Sequence, residues 1–439
     1  MFENIPVFPL DRPAMRPLEI APVRSQGQEL LMIRDPLGLI EGAAFMAPDP
    51  LLMVFLQLAD GKTTVGEMAQ KLTMMSGQII PAGIFDKMVQ QLDEALLLQS
   101  ERFRNALQKK YDDWMASPTR PYKSFQAEGM DRMKMLKELG DEFRRHRMSS
   151  ISPPEKMELP AGAVRGILAP HIDYQRGGEV YVWAYRALKE FGAGAKTFIV
   201  LGTSHRPSQH RFIATKKNYD TPIGVVETDQ VILDELAQAY GLDLFEEEYL
   251  HADEHTIELQ AVYLKHLFQD AAIKIVPILV APIDDLLEVE GSPRQDVEID
   301  KFIVALRAVM EKHGDSVALI GGVDFSHCGP EFGDEELNEP ERTKEIERGD
   351  RLALEYAEKM DGEKFFDTFR PDLNARKVCS IAAVYVFLEA MKDRANGKLL
   401  SYQQSNSPDK ATLVSFAAMA FTKPGAEIKP PSRIILSTR

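Results

Sequence analysis

The sequence predicts an α/β domain with a largely parallel central sheet and flanking helices, preceded by a small α+β domain. Three observations predict it. From residue 164 onward, short β-rich apolar runs alternate with amphipathic helical stretches, the pattern of parallel strands joined by helical crossovers. Before residue 109 the pattern differs, with a short hairpin leading into three helical segments. A chain of 439 residues also exceeds what one hydrophobic core ordinarily organises, so two domains are expected.

Residues 1–28 are proline-rich and lack periodicity, and read as an irregular leader. In "ELLMIRDPLGLIEGAAFM" (29–46) two short strands flank a turn at Asp35-Pro36-Leu37-Gly38. The first helix covers 50–59. The second opens after Asp60-Gly61, where Thr64 and Glu67 have the spacing of a capping box. In the third, Ile84, Met88, Leu92 and Leu96 fall on one helical face. These elements form a module over 29–108. Residues 109–129 are polar and turn-rich, and read as a linker. The α/β domain then covers 130–424, and 425–439 is a loose tail. Its strands are "VRGILAPH", "KTFIVLGTSH", "IKIVPILVA", "DSVALIGGVDFSH" and "ATLVSFAAMAFT". Helical stretches lie around 179–191, 230–240, 254–269, 298–313, 345–360 and 380–393.

Composition narrows the function classes. The formal net charge is −15, which suits a soluble chain and not one that binds phosphate backbones. The N-terminus lacks a basic stretch followed by an apolar one, so no secretory signal is expected. The apolar run at 51–59 is far too short to span a bilayer. Two cysteines, Cys328 and Cys379, without a CxxC exclude a disulfide scaffold or zinc ribbon and fit a reducing cytoplasm.

Three predicted strands end in a histidine: "ILAPHIDY" at His171, "FIVLGTSHRP" at His205 and "VALIGGVDFSHCG" at His327. Ligands in open α/β sheets bind beyond the carboxyl ends of the strands, so these imidazoles are expected to face one pocket. Imidazole is a common metal ligand and general base. A fourth cluster, "HADEHTIELQAVYLKHLF", has Ile257, Ala261, Leu264 and Phe268 on one face of a helix beginning near Asp253. That places His255 and Glu258 together at the helix start, a base oriented by a carboxylate, or else a solvated helix start capped by Asp253. "HADEH" also fits the H-x-x-E-H of a metallopeptidase, which requires both histidines on one helix. There is no P-loop, GxGxxG or GxSxG. Cys328 is either a thiolate ligand or a small buried residue. Cys379 opens an apolar helix and reads as packing.

"LAPHIDYQRGG", "LGTSHR", "DEHTIELQAVYL", "GGVDFSH", "VCSIAAVY" and "SYQQSNSPDKATLVSFAAMAF" occur in the order seen in the Memo-like family, whose bacterial and archaeal form is AmmeMemoRadiSam system protein B. The resemblance covers roughly residues 120–423 on the element boundaries above. It implies a fold similar to class III extradiol dioxygenases (LigB-like), which bind non-haem iron at the sheet edge. By that resemblance His171 and His205 match the first two histidines of the site, and His255, with Asp253 before it, matches the base. Ser326 stands where dioxygenases have a carboxylate and animal Memo proteins a cysteine. Hydroxyl is a poor ligand for a divalent metal, so His327, Asp324 or Cys328 is expected to substitute. His327 is the choice for the third ligand. Asp324, sharing the direction of Ser326 by the period of two, orients it. The 29–105 segment resembles a PqqD-like winged-helix module, which implies docking of a peptide or a radical-SAM partner. Its third helix, with Asp86, Asp93, Glu94 and Glu101, favours protein over nucleic acid.

The expected function is a redox-linked protein that uses divalent iron or copper, with zinc the alternative. The other reading is a non-catalytic peptide- or protein-binding cleft.

Overall fold

A computed structural model of the chain describes residues 5–25, 28–35, 37–40, 43–48, 50–124, 132–145, 157–269, 271–334, 337, 340–407 and 411–426. The end of the proposed linker (125–129) and most of the proposed tail (427–439) lie outside them. The chain divides into two compact units, Met1–Ser117 and Pro118–Arg439.

In the first unit, strands β1 (Glu19–Ser25), β2 (Gln28–Arg34) and β3 (Ala43–Met46) form an antiparallel sheet in that order. Helices α1 (Pro50–Leu58), α2 (Val65–Ser76), α3 (Ala82–Glu94) and α4 (Glu101–Ala116) follow. The capping box forms: Thr64 N donates to Glu67 Oε2 at 2.7 Å, and Glu67 N donates to Thr64 Oγ1 at 3.2 Å. Phe55, Met68, Phe85, Val89 and Leu92 fill the core.

Three expectations change. The leader contains β1, whose Pro22 hides the strand pattern but is tolerated on an edge strand. The buried face of α3 is Phe85, Val89 and Leu92, while Ile84 is exposed and Leu96 lies beyond the helix. The supposed linker begins as helix: α4 is capped by Ser100 and buries Phe103, Leu107 and Trp114, and its polar residues face water. Trp114 lies in this unit and Trp183 in the other. In a Trp183→Phe background, Trp114 fluorescence therefore follows this unit alone. Thr64→Ala is expected to lower its stability by about 1 kcal/mol in urea unfolding, the cost of a lost N-cap.

The second unit begins with β4 (Thr119–Arg120) and α5 (Arg132–Arg145), followed by β5 (Val164–Ala169), α6 (Tyr174–Phe191) and β6 (Thr197–Thr203). Short strands β7 (Phe212–Ala214), β8 (Asn218–Tyr219) and β9 (Glu227–Thr228) precede α7 (Gln230–Tyr240) and α8 (Thr256–Leu267). Then come β10 (Lys274–Val280), α9 (Val297–His313), β11 (Val317–Gly322) and β12 (Asp324–Cys328). Helices α10 (Pro340–Glu358), α11 (Gly362–Asp367) and α12 (Ile381–Met391) lead to the hairpin of β13 (Asn396–Asn406) and β14 (Leu413–Thr422).

The sheet runs β12-β14-β5-β11-β6-β10-β7, with β13 also on β14 and β9 on β10. Its centre, β5-β11-β6-β10, is parallel, as the strand–helix alternation implies. β14 and β7 flank this centre antiparallel, β14 because it arrives through a hairpin and not a helical crossover, while β9 pairs parallel with β10. Alternate residues feed opposite faces. Ile199, Leu201, Leu319 and Ile278 pack with α7 and α9 to α12. Phe198, Val200, Ile320 and Ile275 pack with α5, α6 and α8. Since β5, β11 and β6 are adjacent and parallel, their carboxyl ends share one edge. Among the described residues no helix is long and apolar enough to cross a membrane.

Candidate metal centre

His171 follows β5. Its backbone N–H donates to Asp324 Oδ1 at 3.0 Å, and its Nδ1 lies 2.9 Å from Gly322 O at the end of β11. A carbonyl only accepts, so Nδ1 carries a proton, and Nε2 is the nitrogen turned to the cleft. Nε2 is 3.4 Å from the sulfur of Cys379. His205 follows β6. Its backbone N–H donates to Glu254 Oε2 at 2.9 Å, and its Nδ1 sits 3.1 and 3.2 Å from the two oxygens of that carboxylate. The rings of His171 and His205 meet edge to face at 5.1 Å. Cys379 lies just before α12, and the next residue anchors it. Ser380 Oγ is 3.0 Å from Thr203 Oγ1 and accepts from Asp324 N at 3.1 Å, tying α12 to the end of β6 and the start of β12.

One donor atom each from His171, His205 and Cys379 lies within 4.8 Å of the others. The reading of Cys379 as mere packing is therefore corrected. Burial raises its thiol, but the imidazoles of His171 and His205 outweigh that and bring it down to about 6. Burial works against a proton on His205, but Cys379 and Glu254 outweigh it and raise its proton affinity well above that of a free imidazole.

His255 is the N-cap position of α8. Its ring stacks on His205 at 5.2 Å and lies 5.7 Å from His171. Burial, with the neighbouring imidazoles, pushes it down to about 4 against the pull of Glu254. The carboxylate serving this cluster is thus Glu254. It also accepts from His255 N at 2.8 Å and Thr256 N at 3.1 Å, satisfying the first amides of α8. The two acids named from the sequence do other work. Asp253 pairs with Lys123 and, at 3.1 Å, with Arg206. Glu258 is fully buried against Arg120 and accepts from Lys123 N and Ser124 N. The helix starts at Thr256, not near Asp253, which turns Glu258 away from the site.

The peptidase motif also fails in three dimensions. His251 lies in a separate 3-10 turn, Glu248–Ala252. Its ring nitrogens are 2.8 Å from the Tyr219 hydroxyl and 2.9 Å from Ile213 O, and burial pushes it down to about 3.

His171, His205, His255, Asp324, His327 and Cys379 line one cleft of about 630 Å³. His327 lies outside the three-donor group, with its Nδ1 3.0 Å from Phe325 O and its ring against Phe332 at 5.0 Å. Asp324, which burial pushes up to about 6, faces the cleft, and Ser326 does not. Ser326 Oγ donates to buried Asp350 at 2.6 Å. The period-two argument fails because the β12–β14 register shifts between Asp324 and His327. Cys328 packs with Ile346 and Leu413, and burial raises it to about 11. Of its two expected readings Cys328 is thus the small buried residue, and the cysteine that lines the cleft is Cys379. A signal for Cys379 was present: a lone thiol just ahead of an apolar helix, where the helix N-terminus favours a thiolate.

The model of the Memo-like protein family matches residues 137–420, most of the second unit. The chain belongs to the Memo-like family. A MEMO1 family protein of Aquifex aeolicus is 28% identical over 393 residues, 89% of this chain and 95% of that one. That is more than Pro118–Arg439 contains, so the similarity of this Memo-like chain reaches into its first unit. A MEMO1 family protein of Thermus thermophilus is 26% identical over 341 residues, 77% of this chain and 93% of its own length. One from Methanococcus maripaludis is 27% identical over 282 residues, 61% of this chain and 89% of its own. The motifs read from the sequence in residues 166–178, 201–206, 253–264, 321–327 and 378–385 all fall within the Memo-like match.

Proposed function

We propose that His171, His205 and Cys379 hold a transition-metal ion, divalent iron or copper in a redox-linked reaction, with zinc the alternative. The observation that carries this is the convergence of two imidazoles and a thiol, with both imidazoles already held on their far side. Gly322 O and Glu254 fix the Nδ1 side of each imidazole, the arrangement found behind metal-bound histidines. Bonds of about 2.1 Å to nitrogen and about 2.3 Å to sulfur around a tetrahedral ion put neighbouring donors about 3.5 Å apart. His171 Nε2 and Cys379 Sγ are 3.4 Å apart. Two imidazoles and a thiolate suit copper, iron or zinc and leave room for a further ligand.

When bound, such an ion supplies Lewis acidity and, as iron or copper, one-electron chemistry. The chain's own groups do the rest. His255, whose ring faces the cleft beside His171 and His205, is placed to accept a proton from a substrate group there. Asp324 holds His171 through its backbone amide. Phe332, Leu259 and Val414 give the cleft an apolar wall for an organic substrate. The reaction class that fits is a non-haem, dioxygenase-like oxidoreduction. We assign the first unit to capture of a peptide or radical-SAM partner, as a PqqD-like winged helix, in the cytoplasm. Two free thiols accord with that compartment.

A metal-free binding cleft is the second reading. The 3.4 Å Cys379–His171 contact favours it, because that distance also suits a thiolate hydrogen-bonded to an imidazole. Anaerobic titration with ferrous, cuprous and zinc ions decides between the two. One equivalent retained through gel filtration is expected. No binding of any of the three above background gives the lead to the binding cleft.

A further inference from the structure

The segment Pro118–Ser124 opens the second unit and forms a strap across the turn that carries Glu254 and His255. Arg120 is fully buried. Its Nε donates to His251 O at 2.8 Å, its Nη2 to Glu254 O at 2.8 Å, and its Nη1 to Pro121 O at 2.9 Å and to the Glu258 carboxylate. Glu258 closes the other end, accepting from Lys123 N at 2.8 Å and Ser124 N at 2.6 Å. Asp253 joins Lys123 of the strap to Arg206, the residue after His205. The strap starts on β8, where β4 pairs with it, but its Arg120 and Lys123 contacts converge on Glu254 and its neighbours Asp253 and Glu258, and Ser124 itself lines the cleft.

We propose that Arg120 is a positioning residue for this centre. It grips the backbone carbonyl of Glu254, the residue whose side chain sets the ring of His205. The inference rests on the metal reading for its first measurement and not for its second. A buried Arg–Glu pair is seldom more stable than apolar residues of the same size, so stability alone gives no reason to keep one here. Geometry does. A guanidinium has five donors in a fixed plane, and no apolar side chain or lysine can hold two carbonyls across a turn in one orientation.

The test uses the full chain with both charges removed together, Arg120→Met with Glu258→Leu, so that neither is left buried alone. Two quantities are measured. One is cobalt(II) affinity and the thiolate-to-cobalt absorption band. The other is the alkylation rate of Cys379 by iodoacetamide in metal-free protein. Cys328, almost fully buried, serves as the slow internal reference. The expected result is a melting temperature within a few degrees of wild type, cobalt affinity lower by about 10-fold or more, as for loss of other partners that orient a ligand, and an alkylation rate changed at least threefold. A folded double variant with both quantities unchanged overturns the proposal. If the wild-type chain binds no cobalt, the metal reading fails, and the alkylation rate alone decides the role of Arg120. Should the double variant not fold, Asp253→Asn loosens the same strap at its half-exposed end. It is expected to shift both readouts in the same direction, and no change in either overturns the proposal.

Discussion

Cys379→Ala is expected to strip the protein of retained metal. The substitution removes the only anionic donor of the three and leaves two imidazoles, so the loss exceeds the roughly 10–100-fold that follows removal of a partner behind a ligand. Metal content after gel filtration against a competing chelator is the measurement. Cys328→Ala is the matched control. Its sulfur packs against Ile346 and Leu413 and touches no donor of the site, so metal content should stay at the wild-type value. His171→Ala and His205→Ala should match Cys379→Ala. His327→Ala should keep the ion, because its ring lies beyond the three-donor group. Retention of metal by Cys379→Ala together with its loss in His327→Ala would reverse the assignment.

Asp350→Ala carries the largest expected stability cost, about 3–5 kcal/mol, the range for leaving a buried charge without its partner. Asp350 is fully buried. One oxygen accepts from Ser326 at 2.6 Å and Arg376 at 2.9 Å, and the other from Tyr402 at 2.9 Å and Ser415 at 2.5 Å. Removing it leaves Arg376 and three hydroxyls to find new partners. Ser326→Ala removes one hydroxyl only and should cost about 1–3 kcal/mol. Urea unfolding followed through Trp183 in a Trp114→Phe background measures both. Metal content in Ser326→Ala should equal wild type. A drop there with stability unchanged would mean that Ser326 belongs to the site and not to this network.

Parts of the fold and site were legible because they depend on local pattern. An apolar run that stops at a histidine reads as a strand end, and parallel neighbours put such ends on one edge. That argument reaches His171 and His205 directly. It cannot reach Cys379, whose approach depends on how a helix is tied to the sheet through Ser380. Glu254 lies one residue after Asp253 and four before Glu258, just ahead of the helix start at Thr256. No propensity fixes a helix start that finely. The strand-end argument also put His327 in the cleft, where it lies, but the irregular register of β12 separates Asp324 from Ser326 and the ring of His327 stands outside the three-donor group, which nothing in "DFSHCG" announces. The antiparallel margins likewise follow from long-range pairing, which strand–helix alternation does not encode.

The helix behind Cys379 has a kinetic consequence. All 11 residues of α12 are buried, so its amides exchange with solvent only when the core of this unit opens as a whole. The 251–256 turn is buried too, apart from the half-exposed ring of His255 and part of Asp253, and Arg120 grips it through two carbonyls. Slow exchange is therefore expected on both sides of the centre, and the Arg120→Met, Glu258→Leu variant should release the amides of the turn while those of α12 stay protected.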